Sequence, residues 1–334
     1  MSTKIEWTDE TWSPITGCTK ISAGCANCYA ERMARRLAGR YGYPKAPHHF
    51  DVTLRPERLE QPLRWRKPRM IFVCSMSDLF HEDVPFEFVD LVFLTMTACN
   101  GLHIFQVLTK RPGRMLEYFN SKQYYSSPQY HAYSLPNVWL GVTAENQAAA
   151  DERIPLLLQT LAAVRFVSCE PLLGAINLNL SSMSSDGYKM LSHWYGPDGF
   201  DKTGSQPERE QQKLDWVIVG GESGPGARPM HPHWARSLRD QAQAAGVPYF
   251  FKQWGRWAPL GPVHYNPAFS GDHAARDPYG GGTIAIDGDI LKNRRKYYHA
   301  FNADTIVRRV GKKRAGRLLD GREWNEFPVG VDDA

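Results

Sequence analysis

The chain has 334 residues, of which 42% are hydrophobic, and a formal net charge of +5 at pH 7. No run of about 18 apolar residues occurs, and the opening MSTKIEWTDETW lacks the apolar segment of a secretory signal, which argues against a membrane-spanning or secreted protein. We therefore expect a cytoplasmic protein, in which clustered cysteines are more often metal ligands than disulfides. A single domain of this length is unusual outside α/β barrels, which need roughly 250 residues.

Three of the six cysteines lie in TGCTKISAGCANCYAERMARRLAGR, at residues 16–40. Cys18, Cys25 and Cys28 have the spacing C-x6-C-x2-C, and a basic, Ala-rich helix is predicted directly after them. The other cysteines lie in apolar runs, at Cys74, Cys99 and Cys169. Three ligands are one fewer than a structural metal site usually has. Either a fourth protein ligand lies elsewhere, or the fourth position is open for chemistry.

Short apolar runs rich in β-branched and aromatic residues recur along the chain, and each ends in polar residues. Six of them predict strands, at 70–78, 103–111, 138–146, 164–171, 215–223 and 247–254. Weaker strand patterns occur at 11–17 and 51–55. Near-continuous apolar strands are typical of a parallel sheet that is buried on both faces.

Helical patterns lie between these strands, at 85–99, 112–119, 145–160 and 231–246. Pro155 is expected to kink or restart the third helix, and Gly246 is a suitable C-terminal stop for the fourth. The alternation of strands and helices predicts an α/β fold. We expect a (β/α) barrel, either complete with eight units or partial with six.

Two segments rich in Gly, Pro, Ser and aromatic residues interrupt the alternation, at 181–213 and 256–283. Both would leave from the carboxyl ends of strands, so we expect two long loops over the mouth of the barrel. The predicted organisation is a barrel domain at 1–255, with 181–213 as an inserted loop. A basic, Gly- and Pro-rich extension at 256–334 is expected to pack on it.

Positive charge is concentrated in two stretches. Residues 292–317 contain ten Lys or Arg and one acid, and residues 55–69 contain six basic residues and two acids. Either stretch alone is compatible with an ordinary solvated surface. Together, and with aromatic residues among them, they suggest a polyanionic partner, because Lys and Arg displace counterions from phosphates.

Polar residues follow the end of every secure strand. In a β/α barrel the carboxyl ends of the strands hold the chemistry, and polar groups gathered there are costly unless they face a wet cavity or a ligand. The group comprises Ser75, Asp78, Lys110, Arg111, Glu145, Ser168, Glu170, Gly220, Gly221, Glu222 and Lys252.

The stretch GGESGPGARP, at 220–229, contains four glycines within seven residues and adds Arg228. Glycine lets a backbone approach a ligand closely, so the stretch is a candidate cradle for a phosphate or carboxylate. It matches neither the P-loop nor the dinucleotide fingerprint, and a tight turn is the alternative.

Two kinds of metal site fit the three clustered cysteines. A structural zinc site would take His48 or His49, about 20 residues further on, as its fourth ligand. An iron–sulfur cluster held by three thiolates keeps one iron open for a substrate or cofactor. The position after the first strand, on the active-site side of a barrel, favours the iron–sulfur cluster.

Three closely spaced cysteines in the loop after the first strand of a β/α barrel resemble the radical S-adenosylmethionine (SAM) superfamily. The sequence is also similar to a phage and bacterial protein family through WSPITGC, GC-x-x-CYAE, SMSDLFHEDVP, LTKRP, GVTAEN, CEPLLG and GGESGPGARPMHP. The similarity covers roughly residues 5–255, with a short further match at 318–328. The usual superfamily spacing is C-x3-C-x2-C, and the Gly-Gly-Glu tripeptide usually lies near the second strand, whereas here it is at 220–222.

The resemblance implies that Cys18, Cys25 and Cys28 hold a [4Fe–4S] cluster and that its fourth iron binds SAM. A 5′-deoxyadenosyl radical formed from SAM would abstract a hydrogen atom from the substrate. The SAM site is expected to comprise Ser75, Ser168, Glu170, Gly220, Gly221 and Glu222, with Glu170 or Glu222 holding the amino group. The catalytic candidates are Lys110, Glu145 and Lys252, and the substrate-binding candidates are Asp78, Arg111 and Arg228.

The expected substrate is linked to nucleic acid, with DNA favoured over tRNA by the phage context of the family. One fitting role is an isomerase in thymidine hypermodification that moves an amino-acid substituent from a C–N to a C–C link. The alternatives are another radical SAM reaction in DNA or tRNA repair or modification, and a zinc-stabilised nucleic-acid-binding protein without catalysis. We also expect an external one-electron donor, a monomeric state and no membrane partner.

Overall fold

The computed structural model describes residues 3, 5–121, 135–180, 213–259 and 305–328, and in addition the backbone of four strands between residues 263 and 302. The predicted loop at 181–213 therefore lies outside the described residues, except for its last residue. In the described part of the chain, no helix is long and apolar enough to cross a membrane.

A parallel sheet of seven strands forms the centre of the protein and curls into a half-barrel. Its strands, in spatial and in chain order, are β1 (Glu10–Trp12), β4 (Arg69–Val73), β5 (His103–Thr109), β6 (Val138–Thr143), β7 (Val164–Cys169), β8 (Trp216–Gly220) and β9 (Tyr249–Gln253). The six securely predicted strands are confirmed, and β1 overlaps the weaker 11–17 pattern. The sheet is open, with β1 and β9 at its edges, and is compatible with a partial barrel.

The described helices include the five that the sequence predicts. They are α1 (Tyr29–Leu37), α2 (Phe86–Ala98), α3 (Pro112–Ser121), α4 (Gln147–Leu158), α5 (Pro232–Ala244) and the short α6 (Lys312–Ala315). The expected restart at Pro155 is wrong, because α4 continues through it. Pro155 and Asp151, whose carbonyl loses its helical partner, are both exposed, so water can satisfy that carbonyl.

The two faces of the sheet differ. One face packs on the helices in the main core, for example through Val107 of β5 and Val92 of α2. The other, concave face carries a smaller cluster of Trp7, Trp139, Phe166, Trp216, Ile218 and Phe250. Trp7 makes an edge contact with Trp216 at a centroid distance of 6.1 Å. The half-barrel therefore has an aromatic floor on its concave side.

A small two-stranded sheet is separate from the central sheet. Strand β2 (Ile15–Thr16) pairs antiparallel with β3 (Thr53–Leu54). The weak pattern at 51–55 is therefore a strand, but it does not belong to the barrel sheet. The segment between the two strands, which contains the three clustered cysteines, is held together at its base by this pairing.

The segment at 256–283 is not the long loop that the sequence predicts. It contains strands, and the C-terminal strands are β10 (Trp257–Pro259), β11 (Val263–Tyr265), β12 (His273–Asp277), β13 (Gly282–Ile286), β14 (Tyr298–Asn302) and β15 (Thr305–Arg309). Strands of three to five residues between Gly- and Pro-rich stretches of sequence lack the long apolar run that signals a strand. Further on, the Trp324 carbonyl accepts a hydrogen bond of 2.9 Å from the Phe251 N–H. The division into two domains stays a prediction.

Candidate functional site

The cysteine loop, defined here as residues 17–28, lies at the carboxyl edge of the sheet between β2 and α1. At its start, the Gly17 N–H donates to the Met76 carbonyl, just beyond β4, at 3.0 Å. Its thiols, Cys18, Cys25 and Cys28, are half-buried, and none forms a disulfide. Three free thiols thus lie on one loop at the edge where the parallel strands end.

Glu145 holds the middle of the cysteine loop. Its carboxylate accepts a hydrogen bond of 3.1 Å from the Gly24 N–H and one of 3.0 Å from the Arg153 guanidinium. Glu145 is 1% exposed and Arg153 is 3% exposed, so this ion pair is buried. The predicted catalytic residue Glu145 therefore anchors the backbone one residue before Cys25.

A second anchor joins the Gly-rich stretch to the end of the cysteine loop. The Glu222 carboxylate accepts hydrogen bonds from the Asn27 side chain at 3.0 Å and from the Arg228 guanidinium at 2.7 Å and 2.9 Å. The backbone N–H of Arg228 adds a bond of 2.7 Å to the same carboxylate. Arg228 also donates to the Ala23 carbonyl at 3.0 Å. Glu222 and Arg228 are therefore already engaged by the loop.

Arg111 lies beside Cys18. Its guanidinium donates to the Cys18 sulfur at 3.6 Å, to Asp78 at 3.3 Å and to Glu82 at 2.8 Å. Asp78 in turn accepts a bond of 2.7 Å from the Thr109 hydroxyl. Arg111 and Asp78 are both buried. These two predicted substrate residues therefore form a charged support for the first cysteine.

The thiols of the loop differ in acidity. Burial and the negative charge of Asp78 raise the pKa of Cys18 to about 11, although Arg111 opposes the shift. Burial also acts to raise the pKa of Cys25, but a backbone hydrogen bond from Ile21, the positive charge of Lys110 and hydrogen bonds from Ser22 hold the pKa below 9.0. Cys25 is thus the better nucleophile of this pair.

We expect iodoacetamide to alkylate Cys25 of the metal-free protein faster than Cys18 at pH 8, because the thiolate is the reacting form. The rate at Cys18 should keep rising with pH towards about 11, whereas the rate at Cys25 should level off below 9.0. Peptide mass spectrometry over a pH series measures both rates. Cys169, which is fully buried, should stay unmodified as the control. Faster alkylation of Cys18 would contradict the assignment.

Above the aromatic floor, the concave face becomes polar. Side chains two residues apart on a strand share a face. Ser168 and Glu170 therefore lie on the same face as Phe166, and Lys252 lies on the same face as Phe250. Glu170 accepts hydrogen bonds from Lys252 at 2.8 Å and from Gln253 at 2.9 Å.

Lys110 occupies the corresponding place after β5. It lies close enough to Cys25 for its charge to act on that thiol, and no ion pair to it occurs among the described residues. Within that part of the chain, Lys110 thus differs from Lys252, which is paired with Glu170.

The glycines predicted to cradle a cofactor have packing roles. A Cβ on Gly220 would lie 3.1 Å from the carboxyl carbon of Glu170, and one on Gly221 would overlap the Trp254 carbonyl. Ser75 is half-buried, its hydroxyl lies 3.4 Å from that of Ser13, and its carbonyl accepts a hydrogen bond from the Tyr29 hydroxyl.

The predicted residues thus fall into two groups. Asp78, Arg111, Glu145, Glu222 and Arg228 support the cysteine loop, whereas Lys110, Ser168, Glu170 and Lys252 line the concave face. The sequence did not single out Asn27, Arg153 or Glu82, which complete the supports. Asn27, between the last two cysteines, could have been suspected from its position, but Arg153 resembles any helical arginine.

The fold and the site together define an α/β protein with an open, curled parallel sheet and a three-cysteine loop at its carboxyl edge. The chain belongs to the family described as "Protein of unknown function (DUF5131)", which it matches over residues 2–328. No curated protein and no solved structure matches it.

Proposed function

We propose that this protein is a radical SAM enzyme that holds a [4Fe–4S] cluster on Cys18, Cys25 and Cys28. The observation that carries the proposal is the position of the three thiols. They are free and half-buried on one anchored loop, at the carboxyl edge of a half-barrel, next to a concave face that carries Lys110 and Glu170. Chemistry in β/α barrels is built at this edge.

The donor set of the loop suits a cluster. Among the described residues, no three His, Cys, Asp or Glu side chains converge closely enough to hold one metal ion. A [4Fe–4S] cluster takes each thiolate on a different iron, so its ligands need not converge on one point. Arg111, which donates to the Cys18 sulfur, would stabilise the thiolate form of that ligand.

Glu170 is our candidate for the amino group of SAM. Glu222 already accepts four hydrogen bonds from Asn27 and Arg228, and a carboxylate has about four lone-pair sites. Glu170 accepts two, from Lys252 and Gln253, and faces the concave side. Lys110, without an acidic partner among the described residues, would bind a carboxylate or phosphate group at the mouth.

Held by Cys18, Cys25 and Cys28, a [4Fe–4S] cluster would supply, with an external donor, the one-electron reduction that cleaves SAM to methionine and the radical that takes a hydrogen atom from the substrate. The residues of this chain bind and orient the reactants. The aromatic floor, with Phe166 and Trp216 fully buried, would exclude water from the reactants on that side.

The substrate in this proposal is linked to nucleic acid, with DNA favoured over tRNA. The exposed Arg35 and Arg36, on the helix that starts directly after Cys28, and the net charge of +5 support a polyanionic partner. Isomerisation of an amino-acid substituent on a modified thymidine is the favoured reaction. Another radical SAM reaction on DNA or tRNA is the alternative.

One observation favours a second candidate, a zinc-stabilised nucleic-acid-binding protein. Both ring nitrogens of His49 are buried and have no hydrogen-bond partner among the described residues. The carbonyl of the next residue, Phe50, accepts a hydrogen bond of 3.1 Å from the Cys18 N–H. The backbone next to His49 therefore lies beside the start of the cysteine loop. His49 would be the fourth ligand of a Cys3His site if the three thiols drew together on one zinc, a convergence that the described residues do not show.

Metal analysis after anaerobic purification distinguishes the two candidates. The radical SAM proposal predicts a brown protein with about four irons and about four sulfides per chain after reconstitution. One tightly bound, colourless zinc per chain that withstands reconstitution would overturn the proposal and support the zinc site. His49→Ala should leave the iron content unchanged in the first case and abolish zinc binding in the second.

A further inference from the structure

Helix α1 leaves an unusual set of side chains exposed beside the cysteine loop. Only Ala30 and Ala34 of this helix are buried, so the helix packs on the rest of the protein through a narrow stripe of small residues. The α1 face, as we define it, consists of the exposed residues Tyr29, Met33, Arg35, Arg36, Arg40 and Tyr41. The helix starts directly after Cys28, so this surface is continuous with the loop.

The charge on the α1 face is positive and uncompensated. Arg35, Arg36 and Arg40 form no ion pair within the described part of the chain. The acid of the helix, Glu31, is already paired with Lys20 at 2.8 Å. Exposed arginines without acidic neighbours can bind phosphate groups, because the planar guanidinium presents several N–H donors to the phosphate oxygens.

The turn after α1 presents an aromatic ring among these charges. Tyr41 is 79% exposed and has a φ of 50°, a left-handed conformation that is uncommon for a residue with a side chain. The turn is held from below, because Arg55 donates to the Gly42 carbonyl at 2.6 Å and Arg58 donates to the Tyr41 carbonyl at 3.4 Å. Such backbone conformations persist where the surroundings fix them, and they cluster at functional sites.

We propose that the α1 face binds a single strand of nucleic acid and guides it to the cysteine loop. This rests on the proposed function, since the strand would carry the substrate nucleotide. Arg35, Arg36 and Arg40 contact phosphates, and the Tyr41 ring stacks on an unpaired base. From Cys28 to Arg36 the helix rises about 12 Å, so a strand held at the arginines reaches the mouth within a few nucleotides.

The nature of the exposed side chains favours nucleic acid over a membrane surface. Interfacial helices bury a broad apolar face of Leu, Phe and Trp in the lipid. The α1 face instead has two tyrosines and one methionine dispersed among three arginines. Aromatic rings interleaved with cations are the arrangement found in grooves for single strands.

Fluorescence anisotropy with a labelled oligodeoxynucleotide, titrated at several salt concentrations, tests the proposal. The variant R35Q/R36Q/R40Q should bind more weakly, and the slope of log affinity against log salt should fall by about 2, since each lost phosphate contact on a single strand is worth about 0.7. Tyr41→Ala should weaken binding by about tenfold and leave the slope unchanged.

A matched control removes three exposed positive charges at the opposite end of the sheet. Arg64, Arg66 and Lys67 belong to the basic stretch at 55–69, but they precede the amino end of β4, away from the cysteine loop, so R64Q/R66Q/K67Q should keep the slope and affinity of the natural chain. The proposal is overturned if the α1 variant binds the oligonucleotide as tightly as the natural chain does, or if the control variant loses as much affinity as the α1 variant. Tighter binding of a duplex, or of anionic vesicles, also contradicts it.

The same variants separate this proposal from the proposed function. Among the described residues, no hydrogen bond joins Arg35, Arg36 or Arg40 to a thiol of the loop, so R35Q/R36Q/R40Q should retain the absorbance near 400 nm and the cleavage of SAM. Loss of oligonucleotide binding with an intact cluster supports the α1 face. Failure of the natural chain to form a cluster, with oligonucleotide binding that still depends on the three arginines, refutes only the radical SAM chemistry.

Discussion

Replacing Cys28 by alanine is expected to abolish the absorbance near 400 nm and the formation of 5′-deoxyadenosine. No other described cysteine could take the place of the lost thiolate, because Cys74, Cys99 and Cys169 all lie outside that loop. Iron should fall from about four per chain to a background level after the same anaerobic reconstitution. Absorbance, iron and sulfide measurements on the variant check the result.

Cys99→Ala is the matched control for this prediction. Cys99 is also a free thiol, but it caps the end of α2 and is 4% exposed, away from the loop. This variant should bind the same amount of iron as the natural chain. Equal iron in the Cys28 and Cys99 variants would contradict the assignment of the cysteine loop.

Replacing Glu145 by alanine should lower the free energy of unfolding by about 3–5 kcal/mol, because it leaves the Arg153 charge buried without its partner. The same change removes the acceptor of the Gly24 N–H and thereby frees the centre of the cysteine loop. Urea unfolding measures the first effect, and iron content after reconstitution measures the second. Glu60→Ala, which breaks an exposed pair with Arg64, should cost less than about 1 kcal/mol.

A double variant separates stability from loop anchoring. In E145A/R153M the buried charge is gone, so much of the lost stability should return. The hydrogen bond to Gly24 stays absent, so iron content should remain low. Recovery of both stability and iron would show that Glu145 serves only the fold.

The contribution of Glu145 should depend on pH in a defined direction. Burial alone would raise the pKa of Glu145, but the hydrogen bond from Ser22, the charge of Arg153 and the Gly24 N–H lower it below 4.5. A carboxyl whose pKa is lowered by folding stabilises the protein at neutral pH, and this contribution is lost as the pH falls through the folded pKa. The difference in stability between the natural chain and E145A should therefore shrink in acid.

The sequence was sufficient for the sheet because strands buried on both faces have long apolar runs. β5 and β6, with six or seven residues each, are of this kind. β1 has three residues and gave only a weak pattern. The strands within 256–283 were missed because three to five residues between Gly- and Pro-rich stretches of sequence resemble a loop.

The sequence predicts which residues form the candidate site but not the role of each residue. Polar residues after strands indicate the carboxyl edge of a sheet, which is why Glu145, Glu170 and Glu222 were all singled out. Whether each carboxylate faces the cavity or the cysteine loop depends on partners distant in sequence, such as Arg153 and Asn27. Arg153 carries no local signal, and the position of Asn27 between two cysteines does not say which acid it meets, so the supporting role of Glu145 and Glu222 emerges only from the three-dimensional structure.

The formation of 5′-deoxyadenosine tests the central claim most directly. The reconstituted protein, incubated anaerobically with SAM and dithionite, should release 5′-deoxyadenosine and methionine, and the Cys28→Ala variant should release neither. Chromatography with mass detection measures both products. Absence of 5′-deoxyadenosine from the natural chain, together with one zinc per chain, would contradict the radical SAM assignment.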